Sequence, residues 1–244
     1  MRMGGPGSKG TLMIPAEFDD VATNYQTLHQ NNIALSGESP EYFSRYKIRI
    51  LLADCVRYKL IPHVILDFGS GIGSSVPHFK SSFSEADLVC IDISQRSLDL
   101  GEARFPGVAR SVKLEGSFLP FEAHSFDVVF SACVFHHIPH EQHVDWLSEL
   151  YRVTRPGGLL SVFEHNPFNP LTQHAVNTCP FDANARLIRA GQLRERCLAA
   201  GWSRLRVRFH VFLPRMMAIL RPAERWLTRV PLGAQYSLIA IRDG

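Results

Sequence analysis

Long apolar runs are missing from this 244-residue sequence: although 45% of its residues are hydrophobic, no stretch of about 18 could span a bilayer as a helix. Cysteine is sparse and unpatterned. Its five copies, Cys55, Cys90, Cys133, Cys179 and Cys197, are odd in number and include no Cys-x-x-Cys pair. That speaks against a disulfide framework and against a zinc site, so no metal is expected, and it fits a reducing, cytoplasmic setting. Strong charge of either sign is lacking too, the formal net charge being only +3. Internal repeats and low-complexity linkers are absent, which leaves one globular unit as the expected organisation. Residues 1–17 open with a positive charge but lack the apolar stretch of a signal peptide and read as a flexible arm. Residues 18–244 form the expected domain, divided into a helical cover (18–60), a core (63–165) and a looser C-terminal part (166–244).

What is present is an alternation of strand and helix. Tyr42, Phe43, Tyr46, Ile50 and Leu51 recur at three- and four-residue spacing, as on one face of a helix, before Pro62 ends the segment. Short apolar runs follow at His63–Asp67, Leu88–Asp92, Val112–Leu114, Phe126–Phe130 and Leu159–Phe163, with helix-like stretches between them. Gly157 and Gly158 are expected to stop the helix over 140–154 and start the fifth strand. A helix near 189–200 and strands at Leu205–Phe212 and Tyr236–Ile241 complete the pattern, with a helical insert from Arg215 to Arg229 before the last strand. The pattern predicts an α/β fold with a doubly wound, seven-stranded, Rossmann-like sheet.

The first strand runs into Asp67-Phe68-Gly69-Ser70-Gly71-Ile72-Gly73. Glycine is needed where a backbone turns tightly and must approach a ligand without a Cβ in the way. Nineteen residues beyond Gly73, Asp92 ends the second strand, where a carboxylate accepts hydrogen bonds from ribose hydroxyls, with Ile93 behind it. In order, on strand ends, these features point to a nucleoside-containing cofactor. The alternatives are a plain strand–helix turn for the glycines and a helix cap for Asp92. Ser74 stands where a dinucleotide fingerprint requires its third glycine, and no Tyr-x-x-x-Lys pair is present. Both disfavour an NAD(P)-linked reductase.

The acidic-x-Gly-x-Gly-x-Gly motif, Asp92, Gly116–Phe121, Ser125–Val129, Val134–Ile138 and Leu150–Gly158 together resemble the class I S-adenosylmethionine-dependent methyltransferase family. The resemblance covers about residues 63–165 and implies S-adenosyl-L-methionine as cofactor. It implies that Asp67, Gly69, Ser70, Gly71 and Gly73 face the methionine part, that Asp92 and Ile93 hold the ribose, and that Ser117 and Phe118 flank adenine. Relatives often carry Asp where this chain has Ser117. Phe18–Tyr25 resembles the family's N-terminal segment, in which a tyrosine closes over the cofactor; Tyr25 is that residue or a core aromatic.

The acceptor of an open α/β sheet lies beyond the carboxyl ends of its strands, where the sequence offers His136, His137, His140 and Glu164-His165-Asn166. His137, Glu164 and His165 are the catalytic candidates, because an imidazole or carboxylate there could take a proton from a hydroxyl acceptor. The alternative for His137 is a hydrogen-bonded structural residue, and for Glu164 and His165 it is a cap for the following loop. The expected reaction is methyl transfer to a small-molecule or glycan acceptor, at oxygen; a non-catalytic cofactor binder is the other reading. Asn166-Pro167-Phe168 follows the fifth strand rather than the fourth, where DNA amino-methyltransferases carry their base-contacting motif, so nucleic acid is not the expected partner. Residues 185–229 hold eleven arginines against Glu195 and Glu224. Arg204, Arg206 and Arg208 alternate with apolar residues on a predicted strand, and Arg215, Arg221, Arg225 and Arg229 could extend their face beside the pocket. A solvated surface is one reading of that excess, and a site for an acidic or carrier-linked acceptor, or an anionic membrane surface, is the other.

Overall fold

A computed structural model describes residues 37–179, 182 and 184–244. The expected cover over 18–36, with Tyr25, lies outside them. Ser39 starts α1 (Pro40–Tyr58): its side chain accepts from the Tyr42 N–H at 3.2 Å, and Pro40 occupies the first turn, where its missing donor is not needed. Lys59, left-handed at φ 55°, ends the helix before Pro62 is reached. Phe43, Lys47, Leu51 and Asp54 are buried on one face of α1, two of them ionisable.

Seven strands follow: β1 (Val64–Phe68), β2 (Asp87–Asp92), β3 (Arg110–Lys113), β4 (Phe126–Ala132), β5 (Thr154–His165), β6 (Ser203–His210) and β7 (Gln235–Ile241). They form one sheet in the order β3-β2-β1-β4-β5-β7-β6, in which β7 runs antiparallel to both its neighbours. The helices between them are α2 (Val76–Ser82), α3 (Gln95–Arg104), α4 (His143–Val153), α5 (Pro170–Thr178) and α6 (Ala190–Ala199). Alternate strand residues feed two cores. Leu66, Phe68, Val89, Ile91 and Val129 enter one, and Ile65, Leu88, Cys90, Val128 and Phe130 the other. Burial on both faces is why the strands read as continuous apolar runs, each full-sized side chain contributing about 1.5–3 kcal/mol. The order reverses between β1 and β4, and the helices on the two sides of that point leave a crevice above the carboxyl ends of the strands.

Three expectations are corrected in detail. Helix α4 ends at Val153 because Thr154 is already extended (ψ 140°), whereas Gly157 and Gly158 lie inside the span of β5. There the register jumps, Phe126 pairing with Thr154 but Val128 with Leu159, and the Gly157 N–H donates to Arg242 O at 2.7 Å. The insert is mostly 3-10 turns (Arg215–Ala223) with a short α7 (Glu224–Leu227), held by Glu224, whose carboxylate accepts from the N–H groups of Phe212 and Leu213. The arginine face is broken up. Arg208 is ion-paired with buried Asp54, Arg221 with Glu38 at 2.7 Å, and Arg204 with Asp243 at 3.1 Å. Arg204 sits in a left-handed bulge (φ 49°) at the start of β6, the end of the sheet away from the crevice. No helix among the described residues is long and apolar enough to cross a membrane.

Candidate active site

The crevice is a cleft of about 240 Å³ lined by the ends of β1, β2 and β4, the first turns of α1, and residues from α5 onward. Its floor is the glycine turn. Gly69 and Ser70 donate their N–H groups to Ile91 O at 2.8 and 3.1 Å, pinning the turn across the end of β2. Gly69 (φ +75°) must lack a side chain because a Cβ would collide with Val134. Gly71 (φ +52°) also lines the cleft, but a Cβ there would meet nothing within 4 Å, so the space it leaves is ligand space. Asp92 Oδ2 accepts from the Gly71 N–H at 2.8 Å and its Oδ1 from the Ser94 N–H at 2.9 Å, which aims the carboxylate over the turn. The cap of α3 is Ser94, whose hydroxyl accepts from the Ser97 N–H at 3.0 Å.

Asp67 is buried beneath this turn. Burial, and then the nearby Asp92 carboxylate, push its pKa up to about 7, with Lys47 opposing them. Two carboxylates bracketing the glycine turn favour a cationic ligand, which is the charge of S-adenosylmethionine. Asp67, Gly69, Ser70, Gly71, Asp92 and Ile93 all line the cleft. Gly73 does not; it is packed under Val76 and Gly101. Ser117 and Phe118 are both exposed and away from the lining, where Leu114 stands instead.

The far wall is built by one carboxylate. Cys133 ends β4 in a left-handed conformation (φ 60°), and the chain turns so that the Val134 and Phe135 N–H groups donate to Glu164 Oε1 at 3.0 and 2.8 Å. Glu164 Oε2 meets His136 Nδ1 at 2.5 Å. Fully buried and outside the lining, Glu164 shapes the wall rather than touching the cleft. Burial alone would strip the proton from His136, but Glu164 and Asp182 outweigh it and raise its pKa. His137 goes the other way: burial, then the charge of His136, push it down to about 3, so it is neutral at pH 7 and a weak base.

Behind these residues stands a group of which sequence reading had found only His165. The Lys47 ammonium donates to Cys133 Sγ at 3.4 Å, and His165 is bonded to the same sulfur. Burial opposes ionisation of the thiol, but His165 and Lys47 prevail and hold it down to about 6, while the thiol in turn raises His165. Lys47 had one legible signal, its place between Phe43 and Leu51 on the apolar face of α1. Asp182 had none, lying in an irregular stretch. Because burial pushes Cys55, Cys90 and Cys197 up, iodoacetamide at pH 7 is expected to alkylate Cys133 ahead of those three. Its rate should rise through pH 6 and level off before pH 8, as read by peptide mass spectrometry. A rate still climbing steeply at pH 8.5 would mean an ordinary thiol.

His165 ends β5 and Asn166 follows it. Asn166 is buried, and its amide donates to Pro231 O and Gly233 O at 3.1 and 2.7 Å. Asn169 caps α5 through the Thr172 N–H. This Asn-Pro segment is thereby occupied in holding the insert.

The sequence family described as "Methyltransferase domain" matches residues 66–162, from the middle of β1 to β5. The chain is 30% identical over 179 residues to demethylmenaquinone methyltransferase of Renibacterium salmoninarum, spanning 70% of this chain and 69% of that protein. It is 30% identical over 183 residues to the ubiquinone/menaquinone biosynthesis C-methyltransferase UbiE of Ectopseudomonas mendocina, spanning 72% and 67%. Among solved structures, a SAM-dependent methyltransferase from Thermotoga maritima superposes with a TM-score of 0.66 at 16% identity, covering 93% of this chain and 99% of that one. Phosphoethanolamine N-methyltransferase 2 of Haemonchus contortus, solved with S-adenosyl-L-methionine, gives 0.64 at 17% identity, covering 96% and 61%. A glycine turn with its two carboxylates, on a sheet of this order and in a chain with these relatives, makes the protein a class I S-adenosylmethionine-dependent methyltransferase.

Proposed function

We propose that this enzyme methylates a ring carbon beside a hydroxyl in a small quinol- or phenol-type acceptor. Two relatives at 30% identity bear names for quinone methylation, one of them specifying carbon, which moves the favoured acceptor atom away from oxygen and the acceptor away from glycans. The observation that carries the reading is the cleft itself. Its cofactor half is acidic, and its other half is lined by Phe43, Val176 and Cys179 around a cationic group, a setting for a flat apolar ring with an anionic oxygen. The arginines that suggested an acidic or carrier-linked acceptor give it little support, since Arg208, Arg221 and Arg204 are engaged elsewhere.

In this reading Asp67 faces the ammonium group of the cofactor and Asp92 its ribose. When bound, S-adenosylmethionine supplies an electrophilic sulfonium methyl, and the reaction releases one proton overall for each ring C–H replaced by C–CH₃. The chain must hold the ring against that methyl, exclude water and make the ring carbon electron-rich. Lys47 and His165 do the last by stabilising the ionised acceptor hydroxyl, whose charge spreads to the neighbouring carbon. His137, a weak base, contributes as a neutral hydrogen-bonding wall. Incubation with labelled cofactor and a reduced 1,4-naphthoquinone should give a product whose new methyl couples to a ring carbon by NMR. A methoxy product, or transfer to sugars but not to quinols, would overturn the assignment.

The raised Asp67 pKa has a directional consequence. Only the ionised carboxylate pairs with a cation, so affinity for S-adenosylmethionine is expected to increase about 5–10-fold from pH 6 to pH 8 in calorimetric titrations. Asp67→Asn should flatten that dependence while binding more weakly throughout. An Asn variant with the parent's pH profile would remove Asp67 from the cofactor's contacts.

A further inference from the structure

We propose that His136, His137 and Asp182 form a binding site for a divalent transition metal at the acceptor end of the cleft, with zinc or ferrous iron the fitting class. His136 Nε2 and His137 Nε2 approach the same Asp182 Oδ1 at 3.4 and 3.5 Å, and the three ligand atoms lie within 4.8 Å of one another. These separations are long for N–H···O hydrogen bonds, which cluster at about 2.7–3.2 Å. Those two separations match the edges of a tetrahedron around a metal, since bonds of about 2.0–2.2 Å place ligand atoms about 3.3–3.6 Å apart, and a metal would draw the two imidazoles, which lie within 4.8 Å, to the same spacing. Two imidazoles and one carboxylate are the donor set of zinc and non-haem iron sites that keep open positions for substrate.

A second observation is independent of those distances. Glu164, 0% exposed, holds His136 through Nδ1 at 2.5 Å, so its Nε2 is turned toward Asp182. A metal-bound histidine is ordinarily fixed in this way, by a carboxylate on its other nitrogen. Glu164 is itself anchored by the Val134 and Phe135 N–H groups, which makes the orientation rigid. All three ligands line the cleft, so open coordination positions would face the acceptor. Resting on the proposed acceptor, the ion's role is to polarise that acceptor's oxygen, as zinc does for water. The binding site itself stands without that reading.

The full-length chain, stripped with chelator and dialysed, is titrated with Zn²⁺ alone by calorimetry. One saturable site of micromolar or tighter affinity is expected, and Co²⁺ should give visible absorption bands of low coordination number. Asp182→Ala and His137→Ala should each weaken Zn²⁺ at least 30-fold while binding S-adenosylhomocysteine within threefold of the parent, which shows that the cofactor half is folded. Zn²⁺ affinity unchanged in both variants, or no saturable binding in the parent, overturns the site. The naphthoquinol assay separates the two proposals. Metal binding lost in the variants together with a failed assay on every quinol leaves the site and removes the acceptor, whereas carbon methylation by a protein that takes up no Zn²⁺ or Co²⁺ does the reverse.

Discussion

Gly71→Val is expected to lower S-adenosylmethionine affinity at least 100-fold while leaving the protein folded. The two halves of that result have separate causes. A side chain at residue 71 meets no protein atom within 4 Å, so it projects into the cleft where the cofactor must lie. The left-handed backbone (φ +52°) adds strain of about 1–2 kcal/mol, small against a whole-domain stability of about 5–15 kcal/mol. Calorimetry with S-adenosylmethionine and thermal melting would be read side by side. Gly69→Val is the useful contrast, since there the side chain would strike Val134 and the melting temperature should fall first. Near-parental cofactor affinity in Gly71→Val would place the cofactor elsewhere.

Glu164→Leu should be the most destabilising single change in the site, by about 3–5 kcal/mol, because it leaves a buried His136 and two N–H donors without their partner. For a chain of this size that is a drop on the order of 10 °C in melting temperature. The pH dependence gives an independent check. His136 holds Glu164 below its ordinary pKa against the cost of burial, so the carboxylate stabilises the fold above the unfolded-state value and that contribution is lost as pH falls through the folded one. The parent should therefore lose stability on acidification below pH 4.5 more steeply than the leucine variant. A melting temperature within 2 °C of the parent at pH 7 would show that the bracket is dispensable.

Glu164 also illustrates what a linear reading can and cannot reach. Asp67, the glycines and Asp92 were legible because turn geometry and the distance between consecutive strand ends are local properties, set within some thirty residues. The strands were legible for the same reason, their two-sided burial appearing as apolar runs. Glu164 was singled out, but as a proton acceptor, since nothing near it in sequence reveals partners 28–30 residues upstream. Cys133 and Lys47 are 86 residues apart and meet only because α1 packs over the end of β4. Ser117 and Phe118 were located from family resemblance alone, and the loop that carries them turns outward. The alternation of Arg204, Arg206 and Arg208 was read as an unbroken strand, and the bulge at Arg204 splits it.

The antiparallel pairing of β6 with β7 makes everything between them a hairpin loop. His210 pairs with Gln235, and the Ala234 N–H closes onto Val211 O at 2.9 Å, so residues 212–233 leave and rejoin the sheet at adjacent points. Closing such a loop costs only about 0.6 kcal/mol more for each doubling of its length, which leaves its size nearly independent of the sheet's stability, while Pro231 and Gly233, the partners of buried Asn166, fix its returning end. The loop emerges at the carboxyl end of β6, on the same side as the cleft. The molecule therefore carries an exchangeable rim, a place where segments from related enzymes could be grafted to change which acceptor is admitted without rebuilding the cofactor floor beneath it.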